Sequence, residues 1–430
     1  MKLLVISPDY ASHYAPLAVL AGAARRGGHR VVVATGPALR NRVVADGFEH
    51  RELRLGRGSN DGTTAADRSL DAFFEATRTG AVATLRHQSS ERSRDLLHEP
   101  VATARRVFDL LAGEAPDATV VDHVSFGSTL AMYASGQPFI SLVPGHPSQL
   151  PVGGERYGIP ARWPDAVRPA EDDLAELAVL VDRTASRFTD AWNEALHALT
   201  PDRSPVDDAF RVHGQRVLFN SDSGHHDPAR SPLLPADHRF VGPLVRCEEL
   251  PPALRSWAVD DGRPRIYVAL GTFLSRRGDV LASIASALRR LDARVAIACG
   301  PTPIEVLGPL PTGWIVAPHL PQVALVAHAD VVVCHGGNNT VQEARHAGAR
   351  QVILPFSTDQ FSIGSDAERC GSGRVLDPNH LDVEGLAATV ARLAAAGRST
   401  PLRRPTDDAL VDALVGDHAL HTSTAARPRT

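Results

Sequence analysis

The stretch that decides the fold reads Val331-Val332-Val333-Cys334-His335-Gly336-Gly337-Asn338-Asn339-Thr340. Its apolar start predicts a buried strand, and the two glycines predict a tight turn. A helical pattern follows directly. A helix that begins at a glycine-rich turn presents free N–H groups and the positive end of its dipole, so this place favours a phosphate group.

Polar side chains around the turn suit the same purpose. His335, Asn339 and Thr340 are potential donors to an anion, and Gly336 and Gly337 allow its close approach. A carboxylate at Glu343 would accept from ribose hydroxyls. The alternative is a capping box, with Thr340 as N-cap and Glu343 as its reciprocal partner. The segment by itself leaves both interpretations open.

The same alternation of strand and helix runs through most of the chain. Apolar runs that predict strands lie at 3–6, 29–35, 118–122 and 139–143, and again at 266–270, 295–298, 314–317, 331–334 and 351–354. Continuous apolar strands separated by helices indicate parallel sheets covered on both faces. We therefore predict an α/β protein of two Rossmann-like domains.

Composition suggests where the domains divide. We predict an N-terminal domain at 1–222, a linker at 223–262, a C-terminal domain at 263–400 and a tail at 401–430 with a short helix followed by disorder. The charged, Ser/Thr-rich segment 56–106 interrupts the rhythm. Such an insertion either carries specificity or is tolerated surface, and composition does not separate the two.

Further polar loops follow predicted strands of the second half. They contribute Gly271-Thr272, His319, Gln322 and Asp359-Gln360. Because open α/β sheets bind ligands at the carboxyl ends of their strands, these loops and the glycine-rich turn should converge on one site.

The first half supplies a candidate base. His13 follows the first strand and opens the first helix, and Asp122 ends the strand at 118–122. A neutral imidazole can take a proton from a hydroxyl, and a carboxylate can orient it. We expect the helix N-terminus to disfavour imidazolium and keep His13 neutral. The alternatives are a loop histidine and an N-cap aspartate.

The run 319–360 resembles the donor-binding signature of family 1 glycosyltransferases, and the segment at His13 resembles their Gly-His-x-x-Pro loop, with Ser12 in place of Gly. The resemblance implies the GT-B fold, in which two Rossmann-like domains face each other across a cleft. It also implies that the N-terminal domain at 1–222 binds the acceptor and the C-terminal domain at 263–400 binds the nucleotide-sugar donor. It is closest to bacterial members that tailor antibiotics and macrolides.

By this resemblance the enzyme is an inverting, metal-independent hexosyl- or deoxyhexosyltransferase that uses a UDP- or dTDP-sugar. His13 would be the general base, assisted by Asp122. His319 and Gln322 would face the nucleotide base, and Glu343 the ribose. Asp359 and Gln360 would hold the sugar, while the diphosphate would meet Gly271, Thr272, His335, Gly336, Gly337, Asn339 and Thr340.

Three departures from the family pattern are visible. His319 and Asn338 stand where plant members have Trp, and the usual Asn-Ala after Asp359-Gln360 is absent. No Asp-x-Asp motif occurs, which disfavours a Mg²⁺-dependent transfer. His225-His226-Asp227 lacks a further spaced ligand, so we expect a solvated loop rather than a metal site.

Composition narrows the range of possible binding partners. The formal net charge is −4, and Lys2 is the single lysine, so neither nucleic acid nor an anionic membrane is indicated. The short apolar start and the four cysteines without C-x-x-C spacing predict a cytoplasmic protein with no membrane span. We expect a nucleotide-sugar donor as co-substrate, a small-molecule acceptor, no cofactor, and a monomer or homodimer.

Two other functions fit the same features. A GT-B sugar-nucleotide epimerase would need acid/base carboxylates in the cleft and no acceptor pocket. A non-catalytic nucleotide-sugar-binding partner of a tailoring enzyme would not need His13.

Overall fold

The computed structural model describes residues 1–55 and 68–416, and within them the chain forms two parallel sheets. The first has seven strands in the order β3-β2-β1-β4-β5-β6-β7. Their bounds are β1 Lys2–Ile6, β2 Arg30–Thr35, β3 Glu49–Glu52, β4 Ala118–Asp122, β5 Ile140–Val143, β6 Arg216–Phe219 and β7 His238–Phe240.

The second sheet has six strands in the order β10-β9-β8-β11-β12-β13. Their bounds are β8 Arg265–Ala269, β9 Arg294–Ala298, β10 Ile315–Ala317, β11 Val331–Cys334, β12 Arg350–Ile353 and β13 Gly373–Val375. The strand order reverses between β1 and β4 and again between β8 and β11. A crevice opens at the carboxyl ends of the strands at such a reversal, so each half has one natural binding position. The prediction of two Rossmann-like domains is confirmed.

Helices cover both faces of each sheet. Those of the first half are α1 Ala11–Arg26, α2 Arg40–Ala45, α3 Arg68–Thr79, α4 Ala81–Leu96, α5 Pro100–Glu114, α6 Phe126–Ser135 and α7 Glu171–Leu199. The later helices are α8 Gly271–Leu274, α9 Gly278–Leu288, α10 Gln322–His328, α11 Asn338–Ala347, α12 Gln360–Arg369, α13 Val383–Ala395 and α14 Asp407–Val415.

The central strands are buried on both faces, which is why they were visible as apolar runs. Leu3 through Ile6 and Val331 through Cys334 have no exposed surface. The strands that the sequence did not reveal are short or polar. β3 reads Glu-His-Arg-Glu at the edge of its sheet, and β13 has three residues. Edge strands need only one buried face, so their composition carries little signal.

One strand lies outside the predicted first domain. β7 pairs with β6, so the first sheet continues beyond residue 222 into the predicted linker 223–262. The pairing of β7 is a reason to move the predicted end of the first domain from residue 222 toward residue 240.

Helices α3 and α14 each pack against the opposite half of the chain. Phe73 and Phe74 of α3 pack on Phe273 of the second half, with ring centroids 5.1 and 5.0 Å apart. Much of the interrupting segment is thus core between the halves, although residues 56–67 lie outside the described part. In the tail, Leu410 and Leu414 of α14 join the core formed by α1 and the first sheet. Helix α14 lies in the tail where a short helix was predicted, while the predicted disorder falls on 417–430, outside the described residues.

No helix in the ranges 1–55 and 68–416 combines the length and the hydropathy needed to cross a bilayer.

Candidate active site

His13 and Asp122 meet at the strand reversal of the first sheet. His13 lies in the first turn of α1, and Asp122 is the last residue of β4. β1 and β4 are neighbours, with Ile6 opposite Val121, so both side chains emerge at the same edge. The His13 Nδ1 atom lies 2.9 Å from the Asp122 Oδ2 atom. The Asp122 side chain is 0% exposed and that of His13 is 23% exposed, so the pair is sheltered but reachable.

The hydrogen bonds of Asp122 set the tautomer of His13. One carboxylate oxygen, Oδ1, accepts from the Val124 backbone N–H at 3.0 Å, and the other accepts from His13. An ionised carboxylate can only accept, so the proton on His13 is assigned to Nδ1. Nε2 then carries a lone pair, which a general base requires.

Electrostatics at His13 differ from the expectation. Burial lowers the pKa of His13, but the charge and hydrogen bond of Asp122 outweigh it, with a further contribution from the charge of Asp359. The net effect raises the pKa above the ordinary 6.5. The two carboxylates therefore favour the protonated imidazole and oppose the effect of burial on its pKa.

The glycine-rich turn opens α11 as its sequence indicated. Gly336 has a φ of +88°, and a Cβ built there would lie 2.9 Å from the Ile353 Cγ2 atom. Both facts require glycine. The helix begins at Asn338 with Gly337 as its N-cap, and Thr340 lies inside its first turn. The capping-box alternative for Thr340 and Glu343 is therefore wrong, and the free N–H groups start at the turn itself.

His335 lies between two glycines of neighbouring loops. A Cβ on Gly271, which has a φ of +76°, would come 2.9 Å from the His335 ring, and a Cβ on Gly337 would collide with it. Burial lowers the pKa of His335 to about 4, against smaller raising effects of Asp359 and the Ala269 carbonyl. The imidazole is thus neutral at physiological pH. Its Nδ1 atom is buried and has no partner among the described residues.

Two asparagines join this turn to the first half. The Asn339 amide donates to the Ser12 carbonyl at 2.8 Å, one residue before His13. The Asn338 amide donates to the carbonyls of Pro144 at 2.7 Å and Asn220 at 3.0 Å. These bonds place the start of α11 against the start of α1, so the predicted anion site and the predicted base share one cleft.

Three predicted donor-binding residues contact one another. The Gln322 Nε2 group donates to Glu343 Oε2 at 2.7 Å and to Thr340 Oγ1 at 3.1 Å. Tyr267 donates to Gln322 Oε1 at 3.3 Å. Burial raises the pKa of Glu343 to about 7, although the hydrogen bond from Gln322 lowers it, and the charge of Glu248 raises it further. Glu343 therefore changes charge near neutral pH.

The remaining predicted residues differ in their surroundings. His319 follows β10 and Thr272 follows β8, and both are exposed. Gln360 is buried, and its Oε1 atom accepts from the backbone N–H groups of Phe356 at 2.9 Å and Ser357 at 3.2 Å. Its amide thus shapes the loop before α12. Asp359 faces the first half, where its Oδ2 atom accepts from the His146 backbone N–H at 2.8 Å.

Histidines outside the cleft form no metal centre in the described ranges. No group of three or more His, Cys, Asp or Glu there is placed to hold an ion. His225 instead contacts the Arg345 guanidinium, and burial lowers the pKa of His226 to about 4.

Known proteins resemble the chain in both halves. Residues 282–403 match the family described as erythromycin biosynthesis protein CIII-like, C-terminal domain. Tylactone mycaminosyltransferase of Streptomyces fradiae is 25% identical over 455 residues, which cover 99% of this chain and 94% of that protein. The chain is thus similar to glycosyltransferases over nearly its whole length.

Further glycosyltransferases match the chain over part of its sequence or in fold. The PGL/p-HBAD biosynthesis glycosyltransferase of Mycobacterium tuberculosis is 34% identical over 160 residues, which are 37% of this chain; the match spans 36% of that relative's length. The solved structure of glycosyltransferase VinC in complex with dTDP aligns with a TM-score of 0.63 at 19% identity, over 92% of this chain and 91% of its own. The predicted GT-B fold is confirmed, and the similarities support the predicted family.

Sequence reasoning missed two residues at the cleft. Asn338 was noted as a substitution in the family pattern, but its bonds to the first half were not foreseen. Gln149 was not singled out, although its amide lies 3.4 Å from Asp359 Oδ2. The available signal was its place soon after β5, because the rule that polar loops at strand ends converge applies there too.

Proposed function

We propose that the protein transfers a sugar from a UDP- or dTDP-sugar to a hydroxyl group of a small-molecule natural product, with inversion at the anomeric carbon and without a metal ion. The names of its relatives support this reading, since one is a tylactone mycaminosyltransferase and the matched C-terminal domain is named for erythromycin biosynthesis. VinC, whose structure contains dTDP, supports the thymidine nucleotide.

The hydrogen bond between His13 and Asp122 carries the proposal. It leaves Nε2 of His13 as the basic nitrogen in a cleft that the start of α11 also faces. In the proposed step the acceptor oxygen forms a bond to the anomeric carbon while its proton passes to Nε2. The bond from the anomeric carbon to the diphosphate oxygen breaks, and the nucleoside diphosphate leaves with the electron pair. Asp122 stabilises the imidazolium that results.

Neutral donors would stabilise the departing diphosphate. The free N–H groups of α11 point out of its first turn, where Asn339 and Thr340 add side-chain donors. His335 can contribute a hydrogen bond but no charge, because burial lowers its pKa to about 4. The arrangement supports a metal-independent reaction in which fixed dipoles meet the developing charge.

Different side chains of the second half would bind different parts of the nucleotide-sugar donor. Glu343 and Gln322 are adjacent and suit the ribose and base, while His319 would lie at the base from an exposed position. Gly271 and Thr272 at the start of α8 would approach the diphosphate. Asp359 would hold the sugar hydroxyls, and Gln360 would support the same loop through its bonds to Phe356 and Ser357.

The test is a transfer assay with the purified protein, a panel of dTDP- and UDP-sugars and a panel of macrolide and polyketide aglycones. His13→Ala should lower turnover by roughly 10²- to 10⁴-fold, the usual contribution of a general base, and leave donor affinity unchanged. His380→Ala, at an exposed histidine outside the cleft, is the matched control. Transfer by His13→Ala at a near wild-type rate would overturn the mechanism. Epimerised donor without any acceptor product would support the epimerase alternative instead.

A further inference from the structure

The loop that follows β5 in the first half closes over a carboxylate of the second half. Asp359 Oδ2 accepts from the His146 backbone N–H at 2.8 Å, and the Gln149 Nε2 group lies 3.4 Å from the same oxygen. Both contacts span more than two hundred residues of sequence. The residue predicted to hold the donor sugar is therefore held in turn by the half of the protein that should bind the acceptor.

The Gln149 amide has a defined orientation. Its Oε1 atom accepts from the Gly145 backbone N–H at 3.2 Å, which leaves Nε2 to face Asp359. Gly145 provides the space for this arrangement. A Cβ built on Gly145 would lie 2.6 Å from Asp359 Oδ2 and would collide with the Gln149 amide. Any larger residue at position 145 would push the two side chains apart.

The core of the first half fixes the loop from behind. His123, which follows Asp122, places its Nε2 atom 3.1 Å from the Gln149 carbonyl oxygen. Burial lowers the pKa of His123 to about 4, so the ring is neutral and can donate from Nε2 to this carbonyl. The loop that reaches Asp359 is thus attached directly beside the partner of His13.

The second half presents Asp359 from an unusual backbone. Thr358 has a φ of +52°, in the left-handed region that a β-branched residue rarely adopts, and its hydroxyl donates to Asp359 Oδ1 at 3.1 Å. The Thr358 backbone N–H donates to Gln88 Oε1 of α4 at 3.3 Å.

From these contacts we propose that Gln149 is a positioning residue for sugar transfer: together with the His146 N–H group, its amide holds the Asp359 carboxylate in place for the donor sugar. The proposal rests on the proposed function, because it assigns the sugar to Asp359. The sugar subsite is then complete only when the two halves are closed, so binding of the sugar and closure over the acceptor are coupled. The nucleotide, held by the second half alone, should not depend on Gln149.

The test compares two glutamines of the first half that contact the same loop of the second. Gln149→Leu removes the amide that faces the Asp359 carboxylate. Gln88→Leu removes a contact to the Thr358 backbone and leaves the carboxylate untouched. Dissociation constants are measured by calorimetry for dTDP and dTDP-glucose and, in parallel, for UDP and UDP-glucose. No acceptor is needed, so the result does not depend on finding one.

We expect Gln149→Leu to weaken binding of the nucleotide sugar by about 3- to 10-fold, the usual effect of one hydrogen bond, with the affinity for the free nucleotide unchanged. Gln88→Leu should change neither. Gln149→Glu sets one carboxylate against another, so its loss should be larger at pH 8 than at pH 5.5. Equal weakening of nucleotide and nucleotide sugar, equal effects of the two leucine variants, or no effect of Gln149→Leu would each overturn the proposal.

Transfer assays separate the proposal from the function on which it rests. With an acceptor present, Gln149→Leu should raise the KM for the nucleotide sugar and leave the acid limb of the pH profile in place, since the charge of Asp359 is retained. A wild-type protein that transfers no sugar would contradict the proposed function, while a sugar-selective loss in calorimetry would still support the role of Gln149 in binding.

Discussion

Replacement of Asp122 gives the sharpest test of the catalytic pair. Asp122→Ala removes the carboxylate that lies 2.9 Å from His13 Nδ1. Two unit charges about 4 Å apart interact by about 4 kcal/mol at the effective dielectric constant of a partly exposed site. If about half of the imidazolium charge has developed in the transition state, the loss is about 2 kcal/mol, or roughly 30-fold in turnover.

Asp122→Asn should be more damaging than this, for a reason specific to the site. The Val124 backbone N–H donates to Asp122 Oδ1 at 3.0 Å and needs an acceptor in the variant too. The Asn oxygen would satisfy it, so the Asn NH₂ group would face His13 Nδ1. That nitrogen must then accept, the ring proton moves to Nε2, and the base is lost. We expect a loss of roughly 100-fold or more, approaching that of His13→Ala.

The pH dependence of kcat/KM supplies a second, independent test of the role of Asp122. The raised pKa of His13 means that the wild-type base becomes neutral, and active, as the pH rises through a value above 6.5. In Asp122→Ala the burial that lowers this pKa remains while the main raising effect is gone. The acid limb of kcat/KM should therefore move to lower pH, and the loss relative to wild type should be greater at pH 8 than at pH 6.

The measurement is kcat/KM for transfer between pH 5.5 and 9, with donor affinity determined separately. Asp46→Asn is the matched control, because Asp46 accepts from the hydroxyl of Tyr14, the residue next to His13, at 2.8 Å. Its turnover should stay within about twofold of wild type. Losses below about threefold for both Asp122 variants, or an acid limb that coincides with that of the wild type, would refute the reasoning.

Two further predictions concern donor binding and stability. Burial raises the pKa of Glu343 to about 7, so this carboxylate should lose its negative charge on acidification, and the affinity for dTDP measured by calorimetry should fall several-fold from pH 8 to pH 6. In Glu343→Gln the affinity should change less over the same pH range. Parallel curves for the two proteins would contradict a role for this carboxylate. Arg216 is 2% exposed and bonds Asp237 and the carbonyls of Ala413 and Gly416, so Arg216→Met should lower the free energy of unfolding in urea by about 2–4 kcal/mol. Arg30→Met, at an exposed pair with Glu49, should cost less than about 1 kcal/mol, and equal costs for both arginine variants would argue against the tether of α14 to the first sheet.

Most of the fold could be predicted because parallel strands that are buried on both faces appear in the sequence as continuous apolar runs. Leu3 through Ile6 and Val331 through Cys334 are examples, and both lie at the centre of their sheets. Three of the four edge strands, β3, β7 and β13, could not be predicted in the same way. β3 is wholly polar in sequence, and β7 lies in a stretch that composition identifies as linker. Their pairing depends on a neighbouring strand rather than on their own residues.

For the candidate site, the positions of the loops could be predicted from the sequence, but the protonation of their side chains could not. Its loops could be located because the carboxyl ends of parallel strands share an edge, and this rule placed His13, Asp122 and the glycine-rich turn correctly. Their protonation could not be predicted. The helix N-terminus at His13 was visible in sequence, but the carboxylates that outweigh the effect of burial on its pKa are distant along the chain.

The sequence by itself thus determined which residue types stand at which strand ends, since these follow from local periodicity and from glycine at positions such as 336. Only the tertiary structure decided which of them touch. Asp122 and His13 are 109 residues apart in sequence, and Gln149 and Asp359 are 210 apart. The local sequence pattern does not indicate contacts between residues so far apart. The physical reason is that hydrogen bonds across a cleft depend on the packing of two whole sheets, which brings together side chains whose chemistry, but not whose partners, the sequence records.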